Sequence, residues 1–448
     1  MTNDQLREQV RELLLKNVRD GYSGLLGQSY CYIAPAPKPY PFQFFWDTCF
    51  HVIMLARLGE YELAQRNLRS LFAMQHADGF VGHMIFWRQV LPVRRSDVLQ
   101  ARPSWQSLRP HMSALIQPPF AAVALHTLFE ESADRVYLGE MYARVKRHHD
   151  WLARTRDFDG DGLLTIITPF ESGMDWKPSY DPVLGYGERH TPRRLYTSRL
   201  YWKTMAVDFD NFARRYDIGE IRRRGRFLVK DAGINAIYAL DLLCMEKLAP
   251  IVGDDPAIYR ARRAQVLASM LRLMYDEEDA AFYDVREPGS EKIRIRTPTI
   301  FFPLAIPELD QAVAERVLTA HFDNVDEFAT ALPLPSVALH DTAFYPGHTP
   351  FIWRGPMWAV NNWFIYHALR HRGFTEQAGK LRSSLRAAIE QSGFREYYDP
   401  LTGEGHGARD FTWSGLALDM CQAGNAGPAG LQGRADAGTA VDDAPGQA

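Results

Sequence analysis

Helical patterns recur along the first 422 residues at a spacing that leaves few folds open to the chain. Residues 4 to 19 set Leu6, Val10, Leu13, Leu14 and Val18 on one stripe at three-to-four spacing, the signature of an amphipathic helix. Further patterns run from Cys49 to Leu58, over 60–75, from Gln117-Pro118-Pro119-Phe120 to about Glu131, and over 134–156. Others cover 201–216, 231–248, 255–275, 310–320, 357–372, 375–391 and 412–422. Short turns alternate with longer aromatic, Pro/Gly-rich loops between them. Roughly twelve helices in hairpin pairs predict an all-α (α/α)6 toroid, with inner helices ringing a funnel and long loops building its mouth. Short β pieces are expected there, at Leu163 to Thr168, Ile293 to Arg296 and Thr299 to Phe302. No internal sequence repeat accompanies the pairs, which disfavours a helical solenoid.

The helical part, 1–422, reads as one catalytic domain. At Ala423 the composition changes, and the segment to Ala448 has no aromatic residue and is mostly Gly, Ala, Pro, Asp and Gln. Such a segment buries too little surface to offset its ordering entropy and is expected to be disordered. A net charge of −3 gives no basic field for nucleic acid. A small, neutral or weakly charged molecule is the expected partner. The four cysteines are scattered, with no CxxC and no metal-ligand spacing, so neither a disulfide framework, a metal nor a cofactor is expected. The N-terminus lacks the apolar core of a signal peptide and no long apolar window exists, so a cytoplasmic chain without membrane contact is predicted.

The richest chemistry lies in Glu171-Ser172-Gly173-Met174-Asp175-Trp176-Lys177-Pro178-Ser179-Tyr180-Asp181. Its three carboxylates stand among Gly, Pro and aromatic residues without helical or strand period, as in an ordered loop that aims side chains into a cavity. Just upstream, Asp157-Phe158-Asp159-Gly160-Asp161-Gly162 copies the first half of a calcium loop, but Thr168 stands where the bidentate Glu belongs. A tight acidic turn is the expectation. Asp47 follows Phe44-Phe45-Trp46 and precedes a helical pattern, so it reads equally as an N-cap and as a carboxylate facing a ligand. From Arg88 to Pro110 the chain is basic, with Arg88, Arg94, Arg95, Arg102 and Arg109 around Trp105. Such a run is a solvated face or a lid that grips an anionic group.

Tryptophans cluster beside these carboxylates, at Trp46–Asp47, Asp175–Trp176, Trp353–Arg354 and Trp413 beyond Glu396. Flat rings beside carboxylates and amides suit a sugar, whose C–H face stacks while its hydroxyls hydrogen-bond. Hydrolysis of a glycoside needs one protonated acid over the leaving oxygen and one ionised acid to activate water. Asp175 is the choice in the first loop, because apolar neighbours help keep an acid protonated. Glu396, in Phe394-Arg395-Glu396-Tyr397-Tyr398-Asp399-Pro400, is the choice in the second. Spacing alone leaves Glu171, Asp181 and Glu404 open.

Taken together, Phe45-Trp46-Asp47, Glu171 to Asp175, Trp353-Arg354-Gly355-Pro356-Met357-Trp358, Phe394 to Pro400 and Phe411-Thr412-Trp413-Ser414 resemble glycoside hydrolase family 63. The likeness covers essentially residues 1–422 and is to the short bacterial members, among them glucosylglycerate and mannosylglycerate hydrolases. It implies an inverting α-glycosidase with Asp175 as general acid and Glu396 as general base. Trp46, Asp47, Trp353, Gly355 and Trp358 would line the glycosyl subsite, and Gln117 would face the leaving group. Glucosylglycerate is the expected substrate, with mannosylglycerate or an α-linked oligosaccharide as alternatives. Lys177 and the arginines of 88–109 are the available cations for a substrate carboxylate. A sugar epimerase using His340, His348 or His406 and a non-catalytic sugar-binding module are the readings from other classes.

Overall fold

The structure, a computed structural model, describes residues 1–88, 95–104, 109–186, 193–347 and 353–422. The Gly/Ala-rich segment from Ala423 and His348 lie outside the described residues. Helices dominate, and short strands in the connections form small sheets of two to four strands.

Two kinds of helix are distinguishable from their residues. Ala232–Leu248 is mostly apolar and buried nearly throughout, its polar Asn235 and Asp241 included, as expected for a helix with almost no face left to water. Phe45–Leu58, Ala121–Ser132, Ala359–His371 and the 3-10 segments Pro298–Ala305 and Thr412–Leu416 are likewise largely buried. These elements pack in a cyclic order. Phe45–Leu58 lies against Ala121–Ser132, which lies against Ala232–Leu248; then come Pro298–Ala305, Ala359–His371 and Thr412–Leu416, which returns to Phe45–Leu58.

Helices with a single buried stripe stand behind them. Asn3–Lys16 buries Leu6, Val10, Leu13 and Leu14 and packs on Ala417–Gln422. Tyr61–Ala73, Arg135–Thr155, Ala257–Ser269, Gln311–His321 and Thr375–Ser392 back the other buried elements in turn. Start and end of the described chain are thereby joined, with Lys16 bonded to Asp410 at 2.6 Å and the terminal amine to Glu390 at 2.9 Å. At this seam the buried Asp419 accepts from Arg57 at 2.7 Å and from Trp363 Nε1 at 2.8 Å, and pairs with His367 at 2.8 Å. One carboxylate so ties three elements, and its buried charge is met by a guanidinium and ring N–H donors.

Several local expectations change. Val18 belongs to an antiparallel hairpin, Val18–Ser23 with Gln28–Ile33, rather than to the first helix. The helix stops because Asn17 turns its amide back to Leu13 O and across to Asp410 O. Thr299 to Phe302 is not extended but lies in the 3-10 segment Pro298–Ala305, where Pro298 and Pro303 supply no N–H for an α-helical ladder. Pro118 and Pro119 precede the helix Ala121–Ser132 instead of opening it, consistent with the bias of pre-proline residues away from α geometry. Asp47 is not a cap: Phe44 holds that position without a side-chain bond, and Asp47 sits in the first turn.

The calcium-like turn is closed by the protein itself. Lys230 Nζ lies 2.6 Å from Asp159, 2.7 Å from Asp161 and 3.2 Å from Glu287, so an ammonium group stands among the acids where a cation would bind. Asp157 accepts from the backbone N–H of Asp161 and Gly162. Among the described residues, no helix is long and apolar enough to cross a membrane.

Candidate active site

Asp175 and Glu396 line one cavity, although their two loops stand far apart in the chain. About 460 Å3 of empty space opens there to solvent, walled by Pro35, Tyr40, Phe44, Trp46, Asp47, Gln117, Gly173, Trp353, Trp358, Phe411 and Trp413 as well.

Asp175 is delivered by the turn that follows Pro169–Ser172. Gly173 adopts φ +73°, and a Cβ at this position would stand 2.4 Å from the Trp46 ring. Only glycine lets the loop lie flat on Trp46. Behind the turn, the buried Lys177 pairs with Asp231 and with Asp284 at 2.7 Å, while Tyr180 donates to Asp231 at 2.7 Å and Ser179 to Asp284 at 2.6 Å. Burial opposes the charge on Lys177, yet the two aspartates push its pKa above the ordinary lysine value. Lys177 is therefore committed to anchoring this loop, which overturns the expectation that it could meet a substrate carboxylate.

Glu396 stands on the strand Arg395–Tyr398, at a register irregularity in its pairing with Gly405–Arg409. A bulge of this kind re-aims a side chain. Its carboxylate accepts from the Tyr40 hydroxyl at 2.5 Å through Oε1 and from Ala408 N at 2.7 Å through Oε2. Gly407, at φ +67°, lies so close that a Cβ would stand 2.4 Å from Oε2.

The acids that spacing left open are now sorted. Glu171 is fully buried and bonded bidentately to Arg156 at 2.5 and 2.7 Å, with Ile116 N and Ile167 N donating to the same carboxylate. Asp181 is paired with Arg354 through contacts of 2.5 and 2.9 Å. Both are absorbed by internal cations. Glu404 is exposed on the turn between the last two strands.

The remaining expected residues sort into wall and support. Trp46 N donates to Gln117 Oε1 at 3.0 Å, fixing the glutamine beside the cavity. Trp353 and Trp358 stack at 3.8 Å and 11°, and Trp413 meets Trp46 edge-on at 5.1 Å. Gly355 is the exception, standing outside the wall: a Cβ there would meet the Tyr345 backbone at 2.3 Å, and its N–H donates to Ser336 at 2.8 Å. Asp47 is 3 % exposed. Burial pushes its carboxyl up to about 7, against the pull of the nearby Trp413 N–H and with a contribution from the charge of Asp175.

Trp413, one of the tryptophans the sequence sets beside carboxylates, lines the cavity, as do Tyr40 and Phe44, which the sequence does not single out as wall residues. Tyr40 stands between Pro39 and Pro41 in a stretch that reads only as non-helical; its tie to Glu396 crosses 356 positions. A second cavity adjoins the first, sharing Tyr40, Phe44, Gln117 and Asp175 and adding Pro39, Phe42, His83, Met84, Gln100 and Phe170. Burial drives His83 down to about 3, so it faces this space uncharged. His340 is exposed and bonded to Asp326 O, and His406 lies on the Gly405–Arg409 strand; neither lines the cavity of Asp175 and Glu396. The side chains of Arg95, Arg102 and Arg109, and the whole of Arg94, lie outside the described residues. No group of three or more His, Cys, Asp or Glu side chains that could hold a metal ion is found among the described residues.

Carboxylates opening into one cavity with flat aromatic walls can hold a sugar ring and exchange protons with it. Comparison with known proteins agrees in kind. The pattern of the mannosylglycerate hydrolase MGH1-like glycoside hydrolase domain matches residues 40–414. A mannosylglycerate hydrolase of Thermus thermophilus is 30% identical over 430 residues, covering 91% of this chain and 98% of that one. A glucosylglycerate hydrolase of Mycolicibacterium hassiacum is 26% identical, covering 86% and 92%. The crystal structure of a GH63 mannosylglycerate hydrolase from Thermus thermophilus, in complex with Tris and D-glycerate, superposes with a TM-score of 0.79 at 29% identity, covering 92% and 99%.

Proposed function

Because the chain belongs to the mannosylglycerate hydrolase MGH1-like family and is a glycoside hydrolase, we propose that it is an inverting α-glycosidase acting on a hexosyl glycerate. The joint opening of Asp175 and Glu396 into one tryptophan-walled cavity carries this reading. In it, Asp175 protonates the glycosidic oxygen. Glu396, oriented by Tyr40 and the Ala408 N–H, takes a proton from the water that attacks the anomeric carbon from the opposite face. An α-glycoside then yields a β-hexose and free glyceric acid. Trp46, Trp353, Trp358 and Asp47 hold the hexose, and Gln117 faces the leaving group from the border of the second cavity.

The cyclic packing order supports an (α/α)6 ring in which the 3-10 segments Pro298–Ala305 and Thr412–Leu416 stand at two of the six inner positions. On that reading, 1–422 is a single catalytic domain with the cavity at one mouth of the ring.

Between the two hexoses, glucosylglycerate was the expectation from sequence, and similarity to a mannosylglycerate hydrolase gives α-mannosylglycerate at least equal standing. The test is incubation with synthetic α-mannosyl- and α-glucosylglycerate, with the released sugar followed by NMR at early times. A β-hexose appearing first supports inversion; an α-hexose first, or an epimer of the intact glycoside, would overturn the mechanism.

A further inference from the structure

A third cavity, outside the site just described, is lined by Arg19, Tyr32, Pro41, Phe42, Trp87 and Arg88 and opens to solvent, with about 450 Å3 of empty space counted to its mouth. Its two guanidinium groups come from different elements: Arg19 from the first strand of the N-terminal hairpin, Arg88 from the residue after Trp87. Each is steered into position by neutral acceptors. Arg19 donates to Val18 O at 2.8 Å, Pro37 O at 3.2 Å and Lys16 O at 3.3 Å. Arg88 donates to the Tyr30 hydroxyl and to Asp20 O at 3.2 Å. Asp20 turns its own carboxylate toward Arg66, 3.8 Å away. Among the described residues, none that lines it is acidic.

Two cations facing one hollow, each hydrogen-bonded to neutral acceptors and with the outlying Asp20 carboxylate adding to the charge felt at Arg88, form a site for an anion. Burial pushes the Tyr32 phenol up to about 12, and both Arg19 and Arg88 pull against that rise, so both charges are felt at the Tyr32 hydroxyl. The floor is apolar: Trp87 is buried and stacked on Tyr30 at 5.3 Å. The hollow thus offers charge on one side and a carbon-facing surface on the other, which fits a small hydroxy acid better than a bare inorganic ion.

Its position links it to the chemistry. Phe42 walls both this hollow and the second cavity, and the second cavity shares Asp175 and Gln117 with the first. The segment Pro39 to Phe44 is the partition, with Tyr40 on the Glu396 side and Phe42 on the arginine side; Tyr32 holds it by donating to Pro41 O at 2.6 Å.

We propose that the Arg19–Arg88 cavity is a second site for glyceric acid, besides the leaving-group position at Gln117, that takes its carboxylate one partition away from the acids that release it. This inference rests on the hexosyl glycerate reading above. A site of this kind draws an anionic substrate toward the mouth of a protein whose net charge is −3, and it holds the acidic product after cleavage.

Calorimetric titration of the whole protein with D-glycerate tests the site directly, with Arg19→Met/Arg88→Gln and Arg88→Gln alone as variants. Arg88 is exposed and its single variant spares the backbone bonds of Arg19. Two binding events are expected for the unmodified protein and one for the double variant. KM for the glycerate glycoside rises about tenfold in the double variant with kcat unchanged, and KM for a neutral p-nitrophenyl α-hexoside does not move. A D-glycerate isotherm and KM identical in all three proteins would overturn the inference, as would saturation of the arginines by inorganic phosphate with no response to D-glycerate. If no hexosyl glycerate were hydrolysed, the reading of the active site would fall, and the D-glycerate titration would still decide this cavity.

Discussion

The Tyr40 hydroxyl donates to Glu396 Oε1 at 2.5 Å, joining a proline-flanked loop near the N-terminus to a strand near the end of the described chain. Ala408 N holds the other carboxylate oxygen at 2.7 Å. A hydrogen bond to a charged group contributes about 1.5–3 kcal/mol. Tyr40→Phe removes the donor and keeps the ring, which packs edge-on against Phe411 at 5.6 Å. Turnover of the cognate glycoside should fall roughly 10- to 100-fold, and the acid limb of the pH–rate profile should move to higher pH. Unchanged kcat and an unshifted acid limb would show that Tyr40 does not position Glu396.

Two acidic residues four positions apart should fail in opposite ways when neutralised. Asp175→Asn leaves a half-buried residue at the cavity, so the fold should survive while kcat falls about 10²- to 10⁴-fold through lost proton transfer. Glu171→Gln leaves the fully buried Arg156 without its counter-charge, a change that costs about 3–5 kcal/mol. Melting temperature and kcat measured on both variants separate these roles. Near-normal turnover by Asp175→Asn would refute its assignment as the acid.

That contrast marks how far the residues alone could be read. The buried character of Ala232–Leu248 and the stripe of Asn3–Lys16 follow from apolar spacing, because a helix repeats its face every few residues. The 3-10 segment Pro298–Ala305 was hidden behind Thr299, Ile300, Phe301 and Phe302, residue types common in strands, and two prolines decided against the ladder. Asp175 and Glu396 stand out as acids among glycine and aromatics, although Glu396 proves to stand on a short strand and not in a loop. Glu171, Asp181 and Lys177 look alike in sequence, and only their partners Arg156, Arg354 and Asp231 withdraw them from the ligand. Those partners lie 15 to 173 positions away, beyond any local pattern. Tyr40 is invisible for the same reason.

Asp47 predicts a pH dependence of stability. Its carboxyl is raised to about 7 from an ordinary 3.8, first by burial. Between those values the folded chain keeps a proton that the unfolded chain has lost, so stability falls as pH rises through the interval and levels off above about 7. Asp47→Asn carries no charge to bury. Its stability relative to the unmodified protein should improve by roughly 3 kcal/mol between pH 4.5 and pH 8, while activity drops if Asp47 holds the hexose as proposed. Melting curves at the two pH values check this. An equal offset at both would mean that Asp47 titrates normally.

Gly407 separates a positional cost from a folding cost at the other acid. At φ +67° an alanine there is strained by about 1 kcal/mol, which alone would leave the enzyme folded. Its Cβ would also stand 2.4 Å from Glu396 Oε2 and 2.7 Å from Glu396 Cβ. Real side chains do not tolerate such contacts, so the carboxylate must rotate off Ala408 N or the strand must shift. A displacement near 1 Å at a catalytic group can cost about 10²-fold in rate. Gly407→Ala is therefore expected to lose about 10²-fold in kcat with a melting temperature only a few degrees lower. Gly403→Ala, also at positive φ but on the turn leading into that strand and facing the Gln391 side chain, is the control that shares the strain and spares the carboxylate. If both variants lost activity equally, turn strain rather than contact with Glu396 would be the cause.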